Sequence, residues 1–212
     1  MVVDLHVHTK AFSSDSRLAP EEAIQEAKRI GLDAICFTEH NKAWPVEEIR
    51  RLGQKWDFPV ISGVEVDTIE GHILVFGLHR DFVEFGGIIR AYELREIVNQ
   101  AGGVMIAAHP LRGFRVFSFS SLKLSPEQAS KRPIFQSVDA LEGFSGGAME
   151  NENHFAQQVA QKLGLKMTGG SDAHSLEEVG RCVTIFENNI RDETELLTEL
   201  KRGKFNAAYF RK

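Results

Sequence analysis

Cysteine is nearly absent from this sequence: two residues in 212, Cys36 and Cys182, with no CxxC spacing and both in apolar stretches. That points away from a thiolate metal site and toward reduced, buried thiols in a reducing compartment. Long apolar runs are lacking too; none approaches the roughly 20 residues needed to span a bilayer. The N-terminus has no basic-then-apolar stretch of the secretory kind, so a cytoplasmic protein is expected. Positive charge is in deficit, with 25 Lys and Arg against 30 Asp and Glu, a net charge of −5. This argues against non-specific, long-range attraction of nucleic acid, though not against a site that binds phosphate through metal ions. No repeat, low-complexity tract or Pro/Gly/Ser linker divides the chain. With 42% hydrophobic residues it can bury a proper core, and one domain over 1–212 is expected.

What is present is an alternation of short β-branched runs with amphipathic helices, the pattern of an α/β fold with parallel strands. Strand-like runs lie at Val2–Val7, Ala34–Phe37, Val60–Val66, Ile73–Phe76, Val104–Ala107, Val138–Glu142, Lys166–Gly169 and Val183–Phe186. One helix starts at Pro20, suited to the first helical position, with Ala23, Ile24, Ala27 and Ile30 on one face. A second carries Ile89, Leu94, Ile97, Val98 and Ala101 and ends at Gly102-Gly103. A third carries Phe155, Ala156, Val159, Ala160 and Leu163, and a fourth spans Asp192–Arg202. Seven or eight strands with intervening helices predict a barrel of the (β/α) type. The segment Leu111–Gln136, rich in Arg, Lys, Ser and Phe, reads as a long loop over the site at a strand end.

Six of the eight histidines fall at or beside predicted strand ends. The first strand ends in His6 and His8, and its apolar residues alternate with a polar face that also carries Asp4. The second runs into Thr38-Glu39-His40. The third gives Glu65, with His72 a short turn later. Another runs into His109-Pro110, and the seventh leads through Gly169-Gly170-Ser171 into Asp172-Ala173-His174. In a barrel of parallel strands the C-terminal strand ends form one mouth, and that mouth carries the chemistry. Taken singly, His40 or His109 reads as a satisfied core histidine, and HxH as a half-exposed strand. The joint pattern does not, because burying such a cluster without a cation would be costly.

Imidazole nitrogens and carboxylate oxygens without cysteine suit Zn, Mn or Fe. Nine or so ligands are too many for one ion, since a catalytic zinc uses about three protein ligands plus water. Glu65 can bridge two ions through its two oxygens, and two ions can generate a bridging hydroxide and clamp a phosphoryl group. Metal-assisted hydrolysis follows, with a phosphoester ahead of a carbon–nitrogen bond.

The set DLHVHT, TEHN, GVEV with GHILVFG, AAHP and GSDAH resembles the PHP (polymerase and histidinol phosphatase) superfamily, in that family's order from Asp4 to His174. The resemblance implies a distorted (β/α)7 barrel of the PHP type holding two or three divalent ions and hydrolysing phosphoesters. It implies that His6 and His8 bind a first metal with Asp172 and a bridging Glu65. His72 and His109 would hold a second metal with Glu65, and Asp15, His40 and His174 a third. Asp15 also reads as a simple loop or helix-cap aspartate. Glu39 departs from the commoner Asp and is expected to support the site without ligating, while Asp4 either orients a ring through its second N–H or is a capped or solvated carboxylate.

Arg112, three residues after His109, is the candidate clamp for substrate phosphate, because a guanidinium matches phosphate oxygens bidentately. Arg115, Lys123, Lys131 and Arg132 are weaker candidates. Phe114, Phe117 and Phe119 could stack on a nucleobase or pack the loop. His79 and His154 are expected on the surface, and Glu142 is a candidate supporting group. The leading expectation is hydrolysis of a small phosphomonoester or nucleotide, with Glu65 bridging the metals and His174 or His109 protonating the leaving group. The alternatives are an exonuclease acting on short oligonucleotides and a non-catalytic PHP module in a larger assembly. No membrane partner is expected.

Overall fold

A computed structural model describes residues 1–79, 89–113 and 124–211. Among these residues nine strands form one sheet: β1 (Val2–Val7), β2 (Ala34–His40), β3 (Val60–Thr68), β4 (Gly71–Phe76), β5 (Val104–Ala107), β6 (Ala140–Ser145), β7 (Lys166–Gly170), β8 (Cys182–Phe186) and β9 (Phe205–Tyr209). Their order is β7-β6-β5-β4-β3-β2-β1-β8-β9. The sheet curls until the chain beyond β7 lies beside β1. There the Asp172 N–H donates to the His6 carbonyl at 2.8 Å and the His8 N–H to the Ala173 carbonyl at 2.9 Å. The result is the expected α/β barrel, nearly closed.

The expected parallel arrangement holds only in part. β1–β2, β2–β3, β5–β6 and β6–β7 are parallel, but β4 runs antiparallel to β3 and β5, and β8 is antiparallel to β1 and β9. The two-residue connection Ile69-Glu70 between β3 and β4 is the reason, because parallel neighbours need a crossover of a dozen or more residues. The reversal places the start of β4, and with it His72, at the same mouth as the end of β3.

Among the described residues six helices accompany the sheet: α1 (Pro20–Ile30), α2 (Val46–Trp56), α3 (Ala91–Ala101), α4 (Pro126–Ala129), α5 (Glu150–Leu163) and α6 (Glu193–Arg202). α2 was not expected: among its 11 residues only Ile49 is buried, so its sequence carries little apolar signal. β9 was missed for a similar reason, with Phe205 its only buried residue. Ile89, expected within a helix, instead bridges Thr68, and α3 begins at Ala91. Within the expected loop 111–136 the described part is partly ordered, as α4 and a 3-10 turn at Pro133–Gln136.

Period-2 alternation sorts the strand residues between two packing environments. Cys36, Ile61, Leu74, Ile106 and Ala140 join a cluster that Leu196 and Leu200 of α6 complete. Ile35 and Phe37 pack with α1 and α2, while Val64, Val75 and Met105 pack with α3 and α5. β1 departs from strict alternation, because its register against β2 shifts between Asp4 and Val7. Val3 and Leu5 therefore join the first cluster and Val7 the α1 side.

Candidate metal centre

Residues in phase with the inner cluster reach the mouth as polar groups. His40 lies four residues beyond Cys36, Glu65 four beyond Ile61, His72 two before Leu74, and Glu142 two beyond Ala140. His109 is out of phase with Ile106 and Ala108. Its φ of 27° breaks the alternation, and its Nε2 lies 2.9 Å from Glu65 Oε1. Asp172, with φ of 53°, is likewise left-handed. Such backbone is costly for residues with a β-carbon and is typical of functional sites.

Glu65 is fully buried at the centre. Its Oε1 faces His109 Nε2 at 2.9 Å and His72 Nδ1 at 3.1 Å. Its Oε2 faces His40 Nδ1 at 3.0 Å, His8 Nε2 at 3.2 Å and His6 Nε2 at 3.6 Å. Asp172 Oδ1 stands 3.4 Å from His6 Nε2 and 3.3 Å from His8 Nε2. Three overlapping groups of side chains are thereby close enough to hold a metal ion: His6, His8, Glu65 and Asp172; Glu65, His72 and His109; His8, His40 and His174. Asp15 joins the third, its Oδ2 lying 3.2 Å from His40 Nε2 and 3.3 Å from His174 Nε2.

Hydrogen bonds behind the rings determine which nitrogens are bare. Glu142 can only accept when ionised, and its Oε1 lies 2.9 Å from His6 Nδ1, so that nitrogen carries the proton. The Ser13 hydroxyl donates to Glu39 Oε2 at 2.5 Å, which leaves its oxygen to accept from His8 Nδ1 at 3.2 Å. His174 Nδ1 donates to the Asp172 carbonyl at 2.9 Å. The Nε2 lone pairs of His6 and His8 are then turned toward each other at 3.0 Å, beside two carboxylates. Two lone pairs and two anionic oxygens converging in a buried spot fit a divalent cation, and the all-nitrogen-and-oxygen donor set fits Zn, Mn or Fe.

The charges agree with this. Burial alone would raise the Glu65 carboxyl, but the charge of His6 and the hydrogen bonds from His109 and His40 hold it well below the usual carboxylate range. Burial would lower His40, yet Glu65, Asp15 and Asp67 raise it to about 9.

Glu39 is not a ligand. Its oxygens accept from Thr9 N, Thr9 Oγ1, Ser13 Oγ and Trp44 Nε1, which occupies the whole carboxylate. Asp4 is the capped carboxylate of the two alternatives, not the ring-orienting group. It is fully buried, and it accepts backbone N–H groups of Ser171, Gly180 and His6 instead of an imidazole proton. It pins the turn after β7 against β1, and burial pushes its carboxyl up to about 6. The carboxylate behind the His6 ring is that of Glu142, 2.9 Å from Nδ1.

Arg112 lies at the mouth, where it donates to Asp172 Oδ2. With His72, His109 and Arg132 it lines a cleft of about 210 Å³. Arg132, weakly favoured from sequence, is held by the carbonyls of Pro110 at 2.5 Å and Glu70 at 3.0 Å. Phe114, Arg115, Phe117, Phe119 and Lys123 lie outside the described residues, while Lys131 is exposed. His79 pairs with Glu193 and His154 with Gln158, both away from the centre. Sequence reasoning missed Asp67, whose Oδ1 is 3.4 Å from His72 Nε2. Its position two residues beyond Glu65 on one strand was the available signal. It also missed Gly147 and Gly170. A β-carbon at Gly147 would overlap Asp172 Oδ2, and one at Gly170 would overlap His6 Cβ.

The family model described as the PHP domain matches residues 4–102, and the one described as PHP-associated matches residues 150–205. The "Probable histidinol-phosphatase" of Thermotoga maritima is 24% identical over 236 residues, covering 98% of this chain and 94% of that protein. The phosphoribosyl 1,2-cyclic phosphate 1,2-diphosphodiesterase of Eggerthella lenta is 30% identical over 70 residues, 33% of this chain and 26% of that protein. Among solved structures, a two-domain protein of Bacteroides vulgatus containing a predicted PHP-like metal-dependent phosphoesterase superposes with a TM-score of 0.67. It is 22% identical, and the match covers 99% of this chain and 65% of that one.

Proposed function

Because the chain belongs to the PHP family, we propose that it is a metal-dependent phosphoesterase that hydrolyses a small phosphomonoester or nucleotide. The observation that carries this reading is Glu65, whose two buried oxygens divide between His72 and His109 on one side and His6, His8 and His40 on the other. Such a carboxylate is suited to bridging two ions. Divalent ions held there supply Lewis acidity to a phosphoryl oxygen and acidity to water.

The remaining steps belong to side chains of this chain. Arg112 has five N–H donors and spends one nitrogen on Asp172, which leaves others to grip substrate phosphate in the cleft. His174 is the better placed of the two candidate acids, since its side chain is 27% exposed against 5% for His109. A cleft of about 210 Å³ favours a compact phosphate ester over a polymer. The presence of every expected ligand type at one mouth argues against a non-catalytic module.

The test is a hydrolysis screen of the protein loaded with Mn, Zn or Fe. Its substrates are p-nitrophenyl phosphate, the bis-ester, mononucleotides, histidinol phosphate and short single-stranded DNA. Turnover of a monoester is expected. No turnover with any metal, together with less than one bound ion per chain, would overturn the reading; turnover of DNA alone would favour the exonuclease.

A further inference from the structure

Glu142 is buried with 1% exposure, and its two oxygens serve different halves of the centre. Oε1 receives His6 Nδ1–H at 2.9 Å, and Oε2 receives the backbone N–H of His109 at 2.7 Å. His6 belongs to the group with His8, Glu65 and Asp172, whereas His109 belongs to the group with Glu65 and His72. His109 is also the residue whose φ of 27° is needed to bring its ring to Glu65. Gly170 leaves room for this arrangement, since a β-carbon there would stand 2.8 Å from Glu142 Oε1.

We propose that Glu142 is a positioning residue that couples the two halves of the metal centre, orienting the His6 ring with one oxygen and holding the His109 backbone with the other. The proposal rests on the metal-centre reading above. Both partners of Glu142 are donors, so only a group with two acceptor ends satisfies them. Glutamine has one acceptor end and one donor end. If its carbonyl accepts His6 Nδ1–H, its NH₂ opposes the His109 N–H. If its carbonyl takes the His109 N–H, its NH₂ faces His6 Nδ1, and the ring must move its proton to Nε2. That removes the lone pair aimed at the ion. Either arrangement damages one half directly, and the other is disturbed because the same side chain holds both.

The experiment is a zinc titration in competition with a chromophoric chelator on wild type, Glu142→Gln and Ser13→Ala. ¹⁵N NMR of the histidine rings in zinc-loaded wild type accompanies it. Glu142→Gln is expected to weaken both zinc-binding steps by about 10–100-fold, the usual effect of losing a partner behind a ligand. Ser13→Ala, whose hydroxyl meets the His8 ring and the His40 N–H but neither His72 nor His109, is expected to leave the step at Glu65, His72 and His109 unweakened. In the wild type, His6 is expected to carry its proton on Nδ1 and coordinate through Nε2. This measurement stands even if the glutamine variant fails to fold. Zinc binding by Glu142→Gln that is unchanged, or weakened at one step only, would overturn the coupling, as would a His6 bare at Nδ1 in the wild type. A wild type that binds no zinc would instead overturn the metal-centre reading itself.

Discussion

His6 Nε2 and His8 Nε2 lie 3.0 Å apart, each with its other nitrogen committed to a partner behind it. Two lone pairs at that distance repel unless a cation stands between them. Without a metal the available cation is a proton. Burial alone would lower His6, but the charges of Glu142, Asp172 and Glu65 raise it well above the usual imidazole range.

Metal loading is therefore expected to displace protons, because an ion needs both lone pairs bare. Calorimetric zinc titration at pH 7 in buffers of different ionisation enthalpy should show net proton release of about one per first ion bound. Identical heats in all buffers would contradict this.

His8→Ala removes a nitrogen close to Glu65, Asp172 and the His40 and His174 rings. Hydrolysis should fall by more than the roughly 100-fold that marks the upper effect of an outer partner. The circular dichroism spectrum should be retained. Full activity in this variant would remove His8 from the first group.

The metal-free protein should depend on pH in a way that His40 controls. Its folded pKa of about 9 lies above the unfolded value of 6.5. The folded state therefore binds the proton more tightly, and the stabilisation is fully present below pH 6.5 and lost as pH rises through about 9. Glu65, lowered from 4.5, has the opposite sign: its stabilisation is present above pH 4.5 and lost as pH falls through its folded value. Melting temperatures of metal-free wild type and His40→Ala should differ more at pH 6 than at pH 9.5.

Arg112→Ala should mainly raise KM, by roughly 10- to 100-fold, the equivalent of about 1.5–3 kcal/mol for a hydrogen bond to a charged group. Steady-state kinetics on p-nitrophenyl phosphate checks this. An unchanged KM would remove the clamp.

Gly147→Ala places a methyl group against Asp172 Oδ2 and Arg112 Nη1. Overpacking of this kind costs about 1–3 kcal/mol. Here it should also displace a candidate ligand, so zinc affinity and melting temperature should both fall. A variant with wild-type affinity would show that the loop yields freely.

The candidate ligands were legible in the linear chain because residue type and strand period are local properties. His6 and His8 share a parity, and His40, Glu65 and His72 keep phase with apolar residues of the inner cluster. His109 and Asp172 were legible as residue types only, since their positive φ values follow from packing at the mouth. The antiparallel turn of β4 and the weak strand β9 were not visible. The choice between the two roles of Asp4 was not legible because its partners, Ser171 and Gly180, lie 167 and 176 residues away.

By itself, the sequence determined the donor chemistry of this protein: nitrogen and oxygen ligands without thiolate, spaced to end strands of an α/β barrel. Tertiary structure decided which nitrogen of each ring is bare, because that depends on carboxylates such as Glu142, 136 residues from His6. A tautomer is selected by what stands behind the ring, and only closure of the barrel brings those partners within hydrogen-bonding distance.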